Sequence, residues 1–141
     1  MATSAISSHG TLLKIHDGTS TYTTIAEVLD ITGPSYDVRT EEVTNHDSGG
    51  WAEFAPTIID GGEVTFEINY YSATTQDQVE TDMLAKTKRL WNLVFPLPSS
   101  GTDTRAFAGY VVANEPQAPV EGVLRFSLTI KVTGAVTKTV A

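Results

Sequence analysis

The sequence predicts a mainly β domain, a β-sandwich or partly closed barrel of about seven or eight strands flanked by one α-helix at about residues 75–90. Two stretches carry most of this prediction. Between Glu63 and Tyr71, the apolar Val64, Phe66, Ile68 and Tyr70 alternate with Glu63, Thr65, Glu67 and Asn69. Further on, Leu124, Phe126, Leu128, Ile130 and Val132 alternate with Arg125, Ser127, Thr129, Lys131 and Thr133. A period of two sends neighbouring side chains to opposite faces, so each stretch is a strand with one apolar and one wet face. The third observation is that only the segment after Thr74 repeats its apolar residues at helical spacing.

Length and composition set the frame. A chain of 141 residues makes a single domain, residues 1–141, able to bury roughly 68–70% of its unfolded surface. It has no cysteine, so no disulfide framework contributes. Seventeen acidic residues against nine basic ones leave a net charge of −8. Phosphate binding rests on clustered Lys and Arg, so this surface repels DNA rather than gripping it. Residues 1–10 are small and polar, with His9 alone ionisable near neutrality. They lack the basic start and apolar core of a signal peptide and read as a flexible arm on a protein made in the cytosol. No apolar run approaches the ~20 residues of a membrane span.

The elements follow in order. Leu12–Ile15 is a short strand that turns at Asp17-Gly18 and returns as Tyr22–Ile25, a first hairpin. Ala26–Ile31 is extended and is stopped by Gly33-Pro34, because proline lacks an N–H and turns the preceding residue away from helix. Ser35–Thr44 resumes alternation through Tyr36, Val38 and Val43. It loses phase at Arg39–Glu42, either at a bulge or where the strand leaves the body for a long loop at about 41–60. That loop carries Trp51 and Phe54 between the pairs Gly49-Gly50 and Gly61-Gly62, which serve as hinge points able to take positive φ.

After the Glu63–Tyr71 strand, Thr74 is placed as the N-cap of the helix over Asp77. Val79, Met83, Leu84, Thr87, Leu90 and Trp91 form its stripe, interrupted by Glu80. Acids lead and Lys86, Lys88 and Arg89 follow, as the helix dipole favours, with Asp82 and Lys86 at i,i+4. Leu93–Pro98 is an extended segment limited by its prolines. Ser99–Asp103 is a turn and Arg105–Ala113 a strand with both faces covered. Asn114–Gly122 is a proline-containing loop, and Gly134 breaks the last strand ahead of a β-prone tail at 135–141.

Catalytic chemistry finds no foothold in this pattern. Glu53, Asp60, Glu63 and Glu67 offer carboxylates, but on half-exposed strands such acids are ordinarily solvated. His9, His16 and His46 are too scattered to ligate a transition metal, and no cysteine assists them. His46-Asp47 with Glu41, Glu42 and Asp60 lacks the loop pattern of a calcium site. No G-x-S-x-G, G-x-G-x-x-G or P-loop is present. No cofactor or metal is expected. Trp51 and Phe54 have two readings: anchors that fold back on the domain, or apolar anchors of an interface.

The segment Gly50–Glu63, G-W-x-E-F-x-P-T-I-x-D-G-G-E, the strand after it, the helix and the closing amphipathic strand resemble the major tail tube proteins of long-tailed, non-contractile bacteriophages. That family is related in fold to contractile-tail and type VI secretion tube proteins. The resemblance implies a structural, non-enzymatic virion protein, assembled in the host cytoplasm into hexameric rings. The rings stack into the tail tube, and DNA passes through without specific binding. It implies self-association as the main partnership, with a tape measure protein, a tail terminator and distal tail or baseplate proteins beside it. It makes the long loop, with His46, Trp51, Glu53, Phe54 and Asp60, the contact between rings. It also implies a polar, largely negative bore, for which Glu63, Glu67 and Asn69 are the candidates. Of Arg125, Ser127, Thr129 and Lys131, the charged members are basic rather than acidic, which sets their strand at the outside or at a subunit interface. The alternative function is a small β-sandwich binding module for a carbohydrate or a host surface, with Trp51 as its stacking platform.

Overall fold

A computed structural model describes residues 6–98 and 101–141. The expectations placed on residues 1–5 of the arm and on Ser99 and Ser100 of the turn lie outside the described residues. Nine strands and one α-helix are seen among the rest: β1 (Leu12–His16), β2 (Tyr22–Thr24), β3 (Val28–Thr32), β4 (Asp37–Glu42), β5 (Phe54–Asp60), β6 (Glu63–Asn69), α1 (Thr74–Ala85), β7 (Arg89–Pro96), β8 (Thr102–Gln117) and β9 (Arg125–Val140). The protein is mainly β with one helix, as its alternation predicts.

Seven strands form one antiparallel sheet in the order β2-β1-β7-β8-β9-β6-β3, and β4 and β5 pair separately. The two long strands divide the sheet. Thr102–Gly109 of β8 lies between β7 and the Val132–Val140 end of β9. Beyond Gly109, β8 pairs only with Arg125–Lys131 of β9, whose other side carries β6 and then β3. One half is therefore β2-β1-β7-β8-β9 and the other is β8-β9-β6-β3, joined where β8 and β9 run continuously. Register shifts at Ala106/Ala108 and Val111/Ala113 are bulges, which sharpen twist and bend at such a junction.

The apolar faces of the two halves meet in one core. Leu13, Ile15, Trp91, Leu93 and Phe107 come from the first, and Val64, Phe66, Ile68, Leu128 and Ile130 from the second. The sheet edges β2 and β3 are joined by only three residues, so they stay close at that corner, since each residue spans at most ~3.6 Å. They do not pair with each other, and the barrel is not closed. Ile25, in that short link, is buried, and its N–H donates to Leu13 O at 3.0 Å.

Several local expectations change. The helix ends at Ala85, where Lys86 takes a left-handed conformation (φ 55°) and the Thr87 N–H returns to Asp82 O. Leu90 and Trp91 belong to β7 instead. Trp91 is fully buried, paired between Ile15 and Phe107, and its indole N–H donates to Gly109 O at 3.3 Å. A ring that large gains more from this slot than from extending a helix. Gly109 is itself a site of close approach to β9: a Cβ there would lie 2.7 Å from both Lys131 O and a methyl of Ile130.

The buried face of α1 is not an apolar stripe either. Gln76, Val79 and Asp82 point inward, whereas Leu84 is 74% exposed. Ala73, not Thr74, holds the cap position. Gln76 organises this end: its Oε1 accepts the N–H groups of Tyr71 and Ala73, and its Nε2 donates to Ala26 O and Asn69 O. Asp82 pairs with Arg89 rather than Lys86. It receives Arg89 Nε at 2.8 Å, a second guanidinium N–H, and Gln78 Nε2 at 2.8 Å. A buried carboxylate needs such partners: Gln78, one turn back on the helix, supplies one, and Arg89, from β7 beyond the helix end, supplies the charge.

β8 runs on through Gln117 and β9 through Gly134, so the loop predicted at Asn114–Gly122 begins later and the tail at 135–141 is mostly strand. Pro116 fits because this end of β8 has β9 on one side alone. Gly134, with φ +82°, sits in the bulge opposite Phe107 instead of ending the strand. The second face of β8 is open, with Tyr110 39% and Val112 49% exposed.

Candidate assembly surfaces

The long loop at 41–60 is a β-hairpin. β4 and β5 pair from Asp37↔Asp60 at the root to Glu42↔Phe54 near the tip. A shift between Val38 and Thr40 sets Thr57 and Ile58 of β5 against Arg39 alone, a bulge on β5; β4 itself is exposed on both faces, so Arg39–Glu42 carries no alternation once the strand has left the body. At the bulge Thr57 Oγ1 donates to Arg39 O at 3.1 Å, and Arg39 Nη2 donates to Asp60 Oδ2 at 3.1 Å.

The tip is ordered by its own polar groups. Asn45 Oδ1 accepts the Asp47 N–H at 2.8 Å and Ser48 Oγ accepts the Asn45 N–H at 3.0 Å, closing a 3-10 turn over His46–Ser48. Gly49 and Gly50 follow with φ of 68° and 86°, a conformation that glycine adopts without strain. The Glu53 N–H donates to Thr44 Oγ1 at 2.9 Å and the Val43 N–H to Glu53 O at 2.8 Å. This frame presents Trp51, 79% exposed, and Phe54, 59% exposed. Neither ring folds back on the domain, which removes the first of the two readings of these aromatics.

His46, Trp51, Glu53 and Phe54 thus share the tip, but Asp60 stands at the root. Its Oδ1 accepts the Gly62 N–H at 3.0 Å. That bond, with Lys131 and Arg39 nearby, holds its carboxyl below the usual carboxylate range. Gly62 has φ +71°, and a Cβ there would lie 2.1 Å from Ser35 O. Gly61 has no positive φ; it is small because Val132 packs against it, 2.5 Å from a hypothetical Cβ. The two glycines at the root are thus sites of close approach.

The second surface is the polar face of β6 and β9. The register pairs Glu63 with Lys131, Thr65 with Thr129, Glu67 with Ser127 and Asn69 with Arg125. Directly opposed residues share a face, so Glu63, Glu67 and Asn69 stand on the same side as the basic residues of β9. Assigning β6 to a bore and β9 to the outside is therefore corrected: the two polar rows go together. Arg125 Nε donates to Asn69 Oδ1 at 3.4 Å. Glu115 of β8, opposite Ser127, joins this face. Three carboxylates (Glu63, Glu67, Glu115) then stand among two cations (Arg125, Lys131), and hydroxyls fill the spaces between them.

Sequence reasoning missed two features. Ile58 and Ile59 are adjacent and each 65% exposed; the bulge breaks the alternation that would have flagged a strand, and Pro56 hides it further. Asp103 and Arg105 lie on the core side of β8. Arg105 is bonded to Asp103 at 2.9 and 3.1 Å, donates to Tyr36 OH at 2.8 Å, and sits 6.0 Å from the Phe95 ring centre. The Arg105 guanidinium holds the Asp103 carboxyl below its ordinary range, with Lys138 adding to the effect. Among the described residues, no three His, Asp or Glu side chains converge as a metal site, and no helix is long and apolar enough to cross a membrane.

Comparison with known proteins places this geometry. No curated protein matches the chain in sequence. In structure, it is similar to a chain from the tail of an empty gene transfer agent particle refined with C6 symmetry, with TM-score 0.80 and 16% identity over 96% of this chain and 99% of that one. It is also similar to the SPP1 tail tube, with TM-score 0.74 and 12% identity over 97% and 80% of the two chains. A chain of the tube-terminating cap of the anti-feeding prophage gives TM-score 0.76 and 10% identity over 100% and 95%. A family model described as phage tail tube protein matches residues 5–138, nearly the whole sequence, and the chain therefore belongs to the phage tail tube protein family.

Proposed function

We propose that this structural component of the virion tail builds its tube from hexameric rings of itself, and that it does so without catalysing a reaction. The observation that carries the proposal is the four-stranded half β8-β9-β6-β3. It has a polar outer face and two unpaired edges, one at β3 and the other at Tyr110–Gln117 of β8. Unpaired edges are templates for another strand. Because these two edges are different surfaces, pairing one with the other of the next copy is heterologous and closes as a ring.

The C6 symmetry of the gene transfer agent tail supports six copies. Six times four gives 24 strands; at about 4.8 Å per strand their circumference is about 115 Å and their diameter about 37 Å, and strand tilt widens this. The face carrying Glu63, Glu67 and Asn69 together with Arg125 and Lys131 would line the bore. Its charges nearly balance and are spaced by hydroxyls, so it lacks the basic cluster that would hold a polyanion and lets DNA pass without specific binding. The hairpin would contact the neighbouring ring through His46, Trp51, Glu53 and Phe54, with Asp60 bracing its root and the paired glycines shaping its ends. The likeness to a tube-terminating cap supports a terminator at the tube end. A tape measure protein within the tube and a baseplate below it complete the proposed partners.

Negative-stain electron microscopy of the concentrated protein, with and without tail initiation components, tests this. Sixfold annuli end-on and stacked tubes side-on are expected. A chain that stays monomeric in both conditions overturns the proposal, and glycan binding by that monomer would favour the binding-module alternative.

A further inference from the structure

We infer that the cleft at the root of the hairpin receives the hairpin tip of another copy of this chain. This rests on the tube reading above and names the surface its hairpin meets. The cleft, about 620 Å³, opens between the root of β5 and the part of β9 beyond Val132. Ile58, Ile59 and Val136 form its apolar wall, and Tyr36, Arg105 and Lys138 its polar one. Arg105 is fixed there by Asp103 and by its bond to Tyr36 OH, so its charge is already in place before anything binds.

Charge selects the occupant. Residues 40–60 contain no Lys or Arg, and the hairpin above its root carries Glu41, Glu42, Asp47 and Glu53, four negative charges. At the cleft, Arg39, Arg105 and Lys138 face Asp60 and Asp103. Three positive against two negative leaves +1, a basic island on a chain of net charge −8. The acidic tip also offers the exposed rings of Trp51 and Phe54, which match the exposed isoleucines of the cleft in kind. Apolar anchors inside a charged rim are the usual make-up of a specific contact. The tip cannot turn back into its own cleft, because the paired hairpin holds the two apart by the length of β5, about 20 Å. The occupant must come from a second molecule, and a contact between two different surfaces of one chain propagates.

The absence of cysteine makes a clean test possible. Ala52 flanks Trp51 and Ala135 lines the cleft, and both are exposed. Single variants A52C and A135C, mixed, assembled and oxidised, should form a disulfide-linked dimer in the polymer fraction. A52C mixed with L84C, on the far helix, should not. Separately, K138E should raise the concentration needed for assembly roughly two- to fivefold at low salt, and E53K should restore it. Tubes that form without the A52C–A135C link, or that link equally to L84C, overturn the cleft as receiver and leave the tube standing. Chains that stay monomeric at every concentration overturn both.

Discussion

Trp51→Ala separates folding from assembly. The ring is 79% exposed in the single chain, so removing it takes almost nothing from the core. An aromatic side chain buries about 200 Å² when fully enclosed, so docking the exposed part removes about 160 Å² from water, and at ~25 cal/mol per Å² this is about 4 kcal/mol. Ordering the ring and its neighbours at the contact costs about 0.5–1.5 kcal/mol, and enclosure is incomplete, which leaves about 2–3 kcal/mol per subunit. At 1.4 kcal/mol per tenfold, the concentration at which tubes form should rise roughly 30- to 150-fold. The assay is sedimentation of polymer across a concentration series, with circular dichroism melting of the unassembled variant beside it. Monomer stability should stay within about 0.5 kcal/mol of the parent, the range for exposed sites. An unchanged assembly concentration would remove Trp51 from the interface. A collapse in melting temperature would show instead that the ring supports the fold, against its exposure.

Two predictions concern the fold beneath that surface. Asp82→Ala strands the Arg89 guanidinium, whose side chain is only 14% exposed, and should cost roughly 3 kcal/mol in a denaturant titration, while Leu84→Ala, two residues along the same helix but facing solvent, should cost less than about 0.5 kcal/mol; the reverse ranking would restore the apolar-stripe reading of the helix. The second is a response to acid. Asp17, Asp60, Asp77 and Asp103 all have pKa values lowered in the folded state, by the Thr19, Thr21 and Ser20 N–H groups, by the Gly62 N–H, by the Tyr70 and Ser72 hydroxyls, and by Arg105, respectively. The unfolded chain binds protons first, near its ordinary carboxylate value of about 3.9, so the stability these groups supply is complete above that pH and is lost as pH falls through the lower folded values. Melting temperature should therefore be flat from neutrality to about pH 5 and drop below about pH 4; a drop centred near pH 6 would place the control in histidine instead.

Much of this protein is written in local pattern. Glu63–Asn69 and the first half of β9 need only their period of two to declare which face is buried, and the structure buries Val64, Phe66, Ile68, Leu128 and Ile130 as that period requires. Asp17-Gly18 declares its turn in the same way, with Asp17 Oδ1 accepting three backbone N–H groups. The Gly50–Glu63 segment is legible as a special element but not as a hairpin, because a bulge at Thr57–Ile58 and a proline at 56 erase the alternation of β5, while β4, exposed on both faces, has none to show. What local pattern cannot hold is partnership. Leu90 and Trp91 fit a helical stripe as well as a strand, and only the slot between Ile15 and Phe107 decides. Asp82 has a helical neighbour in Lys86 yet pairs with Arg89, because burial demands a bidentate donor. The polar rows of β6 and β9 each announce a wet face, but the cross-strand register alone puts both on the same side. Periodicity is a property of one strand, whereas register, edges and the sharing of β8 and β9 between two half-sheets arise only when distant segments meet; the surfaces from which a tube is built belong to that second kind.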